Sequence, residues 1–186
     1  MTERRKRPKL LISVVSADEA AIALENGADL IDLKRPDRGP LGRPDATEVR
    51  DLARILPDPQ RRSVALGELA QGPPDSHWIA RVGEARPRFV KFGTSECGRV
   101  HHHGPNRFDW RQHARGWIES HDWQGVLGVY ADFDQPGVNG LNPTRAVAEA
   151  LELGCSGILV DTIVKTNPTR GYQRNHSPIT AGWVAH

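Results

Sequence analysis

The sequence is poor in cysteine, in lysine and in long apolar runs, and each shortage excludes something. Two cysteines, Cys97 and Cys155, in 186 residues are too few for a disulfide scaffold and point to a reducing compartment, so a cytoplasmic location is expected. No apolar run approaches the roughly 20 residues that span a bilayer, which argues against an integral membrane protein. The N-terminus lacks the apolar stretch ending in small residues that would make it a secretory signal. Neither a dinucleotide fingerprint nor a P-loop occurs. Acidic residues are absent after Asp161.

The net charge of +2 and a sequence pI near 8.7 invite a nucleic-acid reading. The distribution opposes it. Arg4, Arg5, Lys6, Arg7 and Lys9 face only Glu3 in residues 1–9, so the remainder of the chain is slightly acidic. Residues 1–9 read as a solvated basic tail, and neither nucleic acid nor a membrane is an expected partner.

What the sequence does have is a β/α rhythm. Leu10–Val15 has strand length, and Ser16 with Glu19 makes a capping box for a helix that Gly27 ends. A second strand, Asp29–Lys34, follows. Asp45 and Glu48 cap the next helix, which runs to Leu56. Strands are expected at Ser63–Leu66, Arg88–Phe92, Val126–Ala131 and Gly157–Val160. Helices are expected at Ser76–Ala85, Asp109–Glu119 and from Pro143, capped by Asn142, to Leu153. Gly27–Asp32 and Gly154–Asp161 echo each other as a helix-ending glycine, an apolar strand and an aspartate, as β/α units would.

The expected organisation is the basic tail, an α/β domain over residues 10–165, and an irregular tail over 166–186. That last segment shows neither period and is expected to be poorly structured, the alternative being a rearranged element that covers an edge. Arg35–Pro44 reads as a long loop. Trp110, Trp117 and Trp123 are expected to pack a helix against the sheet. His101, His102 and His103, preceded by Cys97, read as a solvated loop rather than a metal site.

Five of the 25 basic residues are lysines, and two of those lie in the tail. The others, Lys34, Lys91 and Lys165, fall at or just past the C-terminal ends of strands, where parallel β/α folds build active sites. Only lysine among the basic side chains can shed its proton near neutrality and attack a carbonyl. A second amine nearby favours the neutral form of the first. Asp32 lies two residues before Lys34 and so points to the same face. Asp132 and Asp161 end the fifth and sixth strands, where a carboxylate can orient an amine, relay a proton, hold a substrate hydroxyl or simply cap a turn.

The segment Leu30-Ile31-Asp32-Leu33-Lys34-Arg35-Pro36, continuing to Gly39-Pro40-Leu41-Gly42, resembles the second-strand motif of the (5-formylfuran-3-yl)methyl phosphate synthases. Phe89–Gly93, Val129–Asp132 and Val160–Lys165 agree in the same order, so that the resemblance spans roughly Leu10 to Lys165. It implies a TIM-barrel-type parallel β/α fold, of which about six units are recognisable, the last two being missing or replaced. It also implies a lyase that joins two molecules of glyceraldehyde 3-phosphate, releasing phosphate and water, in the biosynthesis of methanofuran-type C1 carriers. By motif position Lys34 would be the Schiff-base lysine and Lys91 the proton acceptor, with Asp32, Asp161 and Lys165 as further catalytic groups. Asp132 and Gly42 are expected to contact substrate. No cofactor and no metal are implied, and a homo-oligomer is a possible partner arrangement. A different Schiff-base triose-phosphate aldolase, or a non-catalytic remnant, remain the alternatives.

Overall fold

The computed structural model describes residues 7–98, 109–164 and 183–184. Lys165, the three histidines at 101–103, residues 1–6 of the basic tail and residues 166–182 of the C-terminal segment lie outside the described residues.

Strands and helices alternate as local chemistry dictates. Strand β1 (Leu11–Val14) leads into helix α1 (Ala17–Glu25), where Ser16 Oγ accepts the Glu19 N–H and Glu19 accepts the Val15 N–H. Strand β2 (Leu30–Leu33) is followed by a loop and helix α2 (Ala46–Ile55), whose Glu48 carboxylate accepts the Asp45 N–H at 2.7 Å. Then come β3 (Arg62–Glu68), α3 (Ser76–Ala85), β4 (Phe89–Gly93) and α4 (Trp110–His121). Next are β5 (Gln124–Tyr130), α5 (Pro143–Glu152) and β6 (Gly157–Asp161).

The strands lie in chain order, β1 to β6, all parallel, each crossover being made by a helix or by a helix with its flanking loops. This is the order of a barrel wall, and the sheet curls. Among the described residues it does not close: β1 pairs only with β2. Of the expected six β/α units, the described residues show five complete ones and the strand of the sixth, as an open curled sheet, and a complete barrel is not formed by these residues. The tail expected to be irregular contributes a short strand, β7 (Trp183–Val184), antiparallel to β6, so that edge is partly covered.

Alternation splits the sheet into two faces. Ile12, Val14, Ile31, Leu33, Val64, Leu66, Val90, Phe92, Leu127, Val129, Ile158 and Val160 face the helices and form the main core with them. Trp110, Trp117 and Trp123 are buried in that core, with Phe92 and Trp117 ring centres 6.3 Å apart. The opposite, inner face has a smaller apolar cluster of Leu30, Leu41, Ala65, Phe89, Val126 and Leu159. Leu11 packs against it, and most of the remaining inner positions are polar or glycine.

Candidate active site

The inner face positions the chemistry. Asp32 sits on it, completely buried, and accepts hydrogen bonds from Ser13 Oγ at 2.9 Å and Ser63 Oγ at 2.7 Å, one from each neighbouring strand. Lys91, on β4 and 2% exposed, reaches across β3 to form an ion pair with the Asp32 carboxylate. Burial alone would raise the Asp32 carboxyl. The Lys91 ammonium and the hydrogen bonds from Lys91, Ser63 and Ser13 outweigh that and hold it below its usual range.

Register brings the two lysines to one level. Ala65 pairs with Lys91, and Val64 with Leu33, so Lys34, one step beyond Leu33, stands level with Ala65 on its other side. The Lys34 N–H still bonds to Val14 O at 3.1 Å, which carries the ladder to that residue. Lys34 and Lys91 thus flank a strand at which the intervening residue is only an alanine. Their Cα atoms are about 10 Å apart across two strand spacings, within reach of two long side chains acting on one small molecule. Lys34 is half-buried, whereas Lys91 is enclosed.

Part of that enclosure comes from the loop after β2. Arg35 N–H bonds to Gly42 O at 2.8 Å, and a Cβ at Gly42 would lie 2.0 Å from Arg35 O. The glycine lets the loop close on itself and sends Leu41, fully buried, over the inner face against Gly128. Gly42 is therefore placed as the residue that shapes this cover.

The other expected carboxylates are placed differently. Asp161, at the end of β6, is half-buried, and its Oδ1 accepts the Thr162 N–H at 2.7 Å. Asp132 accepts the N–H groups of Ile163 and Val164, the latter at 2.8 Å. It caps the turn after β6, the turn-residue option for this position, and it fixes the backbone that leads toward Lys165. Among the described residues no group of three or more His, Cys, Asp or Glu side chains is placed to hold a metal ion.

One inner-face residue, Glu68, and one loop residue, Arg43, escaped the sequence reading. Strand β3 carries a bulge between Ala65 and Glu68, at Gly67, whose φ is +91°. The extra residue shifts the alternation, so that Glu68 pairs with Gly93 and lands on the inner face. There the Tyr130 hydroxyl donates to Glu68 Oε1, and Ser95 N–H donates to Glu68 Oε2 at 3.0 Å. The only forewarning in the sequence is a glycine followed by a glutamate at the end of an apolar strand. Arg43 also gathers at this end of β3. Its Nε donates to Leu66 O at 3.0 Å, its guanidinium lies over the Trp78 ring, and among the described residues no carboxylate forms an ion pair with it.

Comparison with known proteins places the chain in a family. The sequence model of the 4-HFC-P synthase family matches residues 10–184, past Lys165, where the motif resemblance ended. The chain is 29% identical over 169 residues to the (5-formylfuran-3-yl)methyl phosphate synthase of Methanopyrus kandleri, covering 86% of this chain and 66% of that protein. It is 25% identical over 166 residues to the synthase of the same name from Methanobrevibacter smithii, with the same coverage. The chain thus spans just under two thirds of the length of these curated relatives. Among solved structures, 2,3-dimethylmalate lyase, a PEP mutase/isocitrate lyase superfamily member, superposes with a TM-score of 0.54 at 12% identity, covering 84% of this chain and 58% of that one, a likeness of fold. With the family's match running through every strand that carries the site, from β1 to β7, the chain belongs to the 4-HFC-P synthase family.

Proposed function

We propose that this chain carries the catalytic face of a (5-formylfuran-3-yl)methyl phosphate synthase, a lyase that condenses two glyceraldehyde 3-phosphate molecules through a Schiff base on Lys34. The observation that carries this reading is the placement of Lys34 and Lys91 on either side of Ala65, with Lys91 anchored to a buried, hydrogen-bonded Asp32.

The division of labour follows from the surroundings. Lys34, half-buried at the strand end, is the amine that a triose-phosphate carbonyl can reach, and its attack followed by loss of water gives an iminium. That electron sink acidifies the neighbouring C–H bond. Lys91, once it has passed its own proton to solvent, takes the C–H proton, and Asp32 stabilises the ammonium that results, the protonated state in which the structure shows the pair. The enamine then attacks the second aldehyde, and loss of water and phosphate closes the aromatic ring. Leu41 shields the site from bulk water, which strengthens each charge interaction inside it. Arg43, held by Leu66 O and Trp78, is the cation best placed to receive a substrate phosphate. Asp161 and Lys165 belong to the same strand end by family motif and are assigned to substrate orientation.

The direct test is incubation with glyceraldehyde 3-phosphate, following furan absorbance and released phosphate together. Both should rise in a fixed ratio. Phosphate release without furan, or neither, contradicts the synthase reading.

A further inference from the structure

Glu68 and Tyr130 form a buried pair on the face that holds the lysines, and the steps above give them no task. Their position is enforced. Only the bulge at Gly67 brings Glu68 to the inner face, opposite Gly93, two residues beyond Lys91 along β4. A Cβ at Gly93 would fall 2.1 Å from Glu68 Oε2 and 2.4 Å from the Tyr130 hydroxyl, so the pair occupies the space that a side chain there would fill. Tyr130 is 1% exposed and Glu68 9%, so Glu68 is the less enclosed member of the pair.

The pair is a poor stabiliser. A buried carboxylate without a cation is costly, and apolar side chains of similar volume fill such a space at least as well. Among the described residues no Lys, Arg or His forms an ion pair with Glu68. The groups facing it are the Tyr130 hydroxyl from β5, the Ser95 N–H after β4, the Asp161 carboxylate from β6 and the Cys97 thiol. Burial pushes the Glu68 carboxyl above its ordinary value, the bonds from Tyr130 and Ser95 oppose that, and the negative Asp161 adds to it. The net shift is upward, the direction a proton donor requires, on the same face as Lys91.

We propose that Glu68, oriented by Tyr130, is the general acid that protonates the hydroxyl leaving the condensation product. The role rests on the synthase reading. In each dehydration Lys91 removes the proton from carbon, and the electron pair of that bond forms the new double bond. The carbon–oxygen bond breaks as Glu68 delivers its proton to the departing oxygen, and water leaves. A proton passing from Lys91 to Glu68 through solvent restores both groups. Glu68 thus contacts the reacting oxygen, and Tyr130 is a positioning residue.

The test compares the wild-type chain with Glu68→Gln and Tyr130→Phe, using glyceraldehyde 3-phosphate. Borohydride trapping measures the Lys34 adduct, which forms before dehydration, and furan formation is followed against pH. The proposal expects Glu68→Gln to keep the wild-type adduct yield while furan formation falls by about 10²- to 10⁴-fold. Because the acid must be protonated, wild-type activity should fall at high pH. Loss of the tyrosine hydroxyl removes a bond that lowers the Glu68 carboxyl, so Tyr130→Phe should move that alkaline limb to higher pH. Equal loss of adduct and furan with an unmoved limb, or wild-type furan formation in Glu68→Gln, overturns the acid role alone. If Glu68→Gln does not fold, the Tyr130→Phe limb decides: a shift upward supports the role and no shift overturns it. Absence of adduct and furan from the wild-type chain overturns the synthase reading, and the acid role with it.

Discussion

The two faces of the sheet are made from alternate residues of the same strands, yet they differ in kind. The helix-facing side is mostly aliphatic and aromatic from β1 to β6 and packs into one core, its charged exception being Arg62, whose guanidinium donates to the carbonyls of Leu56, Pro57 and Ala85. The inner side places Ser13, Asp32, Ser63, Lys91, Glu68, Tyr130 and Asp161 among a few apolar residues. A one-residue slip of any strand would exchange the two sets, so the apolar face fixes the register on which the polar constellation depends. Stability and chemistry are thereby assigned to opposite faces, and substitutions should separate them.

The largest effect belongs to the inner face. Lys34→Arg keeps the charge but loses the nucleophile, and furan formation should fall at least about 10⁴-fold while circular dichroism and thermal unfolding stay as in the wild type. Asp32→Asn affects both properties. It leaves the Lys91 ammonium buried without a carboxylate and should cost about 3–5 kcal/mol in urea unfolding. Asp32 also confers a pH dependence. Its carboxyl is held below the ordinary value, so its contribution to stability is complete above that value and is lost as pH falls through the lower folded one. Acid titration of stability should show this loss in the wild type, and Asp32→Asn should flatten it.

A substitution on the other face should do the opposite. Leu127→Ala opens a cavity in the main core and should cost about 2–5 kcal/mol, with kcat per folded molecule unchanged. The smallest effect expected is that of Arg43→Gln, which removes a charge-assisted contact and should raise KM for the triose phosphate about tenfold with little change in stability. If Leu127→Ala lowered kcat as much as Lys34→Arg, the separation of the two faces would fail.

Much of this was legible in the sequence because the determinants are local. Ser16, Asp45 and Asn142 cap helices through side chains within three residues of the groups they bond or frame, and the apolar strands between them have no other reading. Asp32 and Lys34 could be placed on one face from their spacing alone. Glu68 could not. Counting by twos from Ser63 through Ala65 puts residue 67 on the inner face, and only the positive φ of Gly67 hands that place to Glu68. Asp132 looked the same as a substrate contact and as a turn cap, and its bonds to Ile163 and Val164, on another strand's turn, show the capping role that no local pattern gives. Tyr130 stood within a recognised motif, but its partner lies 62 residues earlier in the chain, beyond any local pattern. The short β7 likewise follows from pairing with β6 rather than from its own composition.

The central claim is that Lys34, level with Lys91 across Ala65, is the amine that captures substrate. Borohydride reduction in the presence of glyceraldehyde 3-phosphate, followed by peptide mass spectrometry of the full chain, tests it most directly. A covalent triose-phosphate adduct on Lys34, absent in Lys34→Arg, is the predicted result. An adduct on Lys91 instead, or no adduct on either lysine, would contradict it.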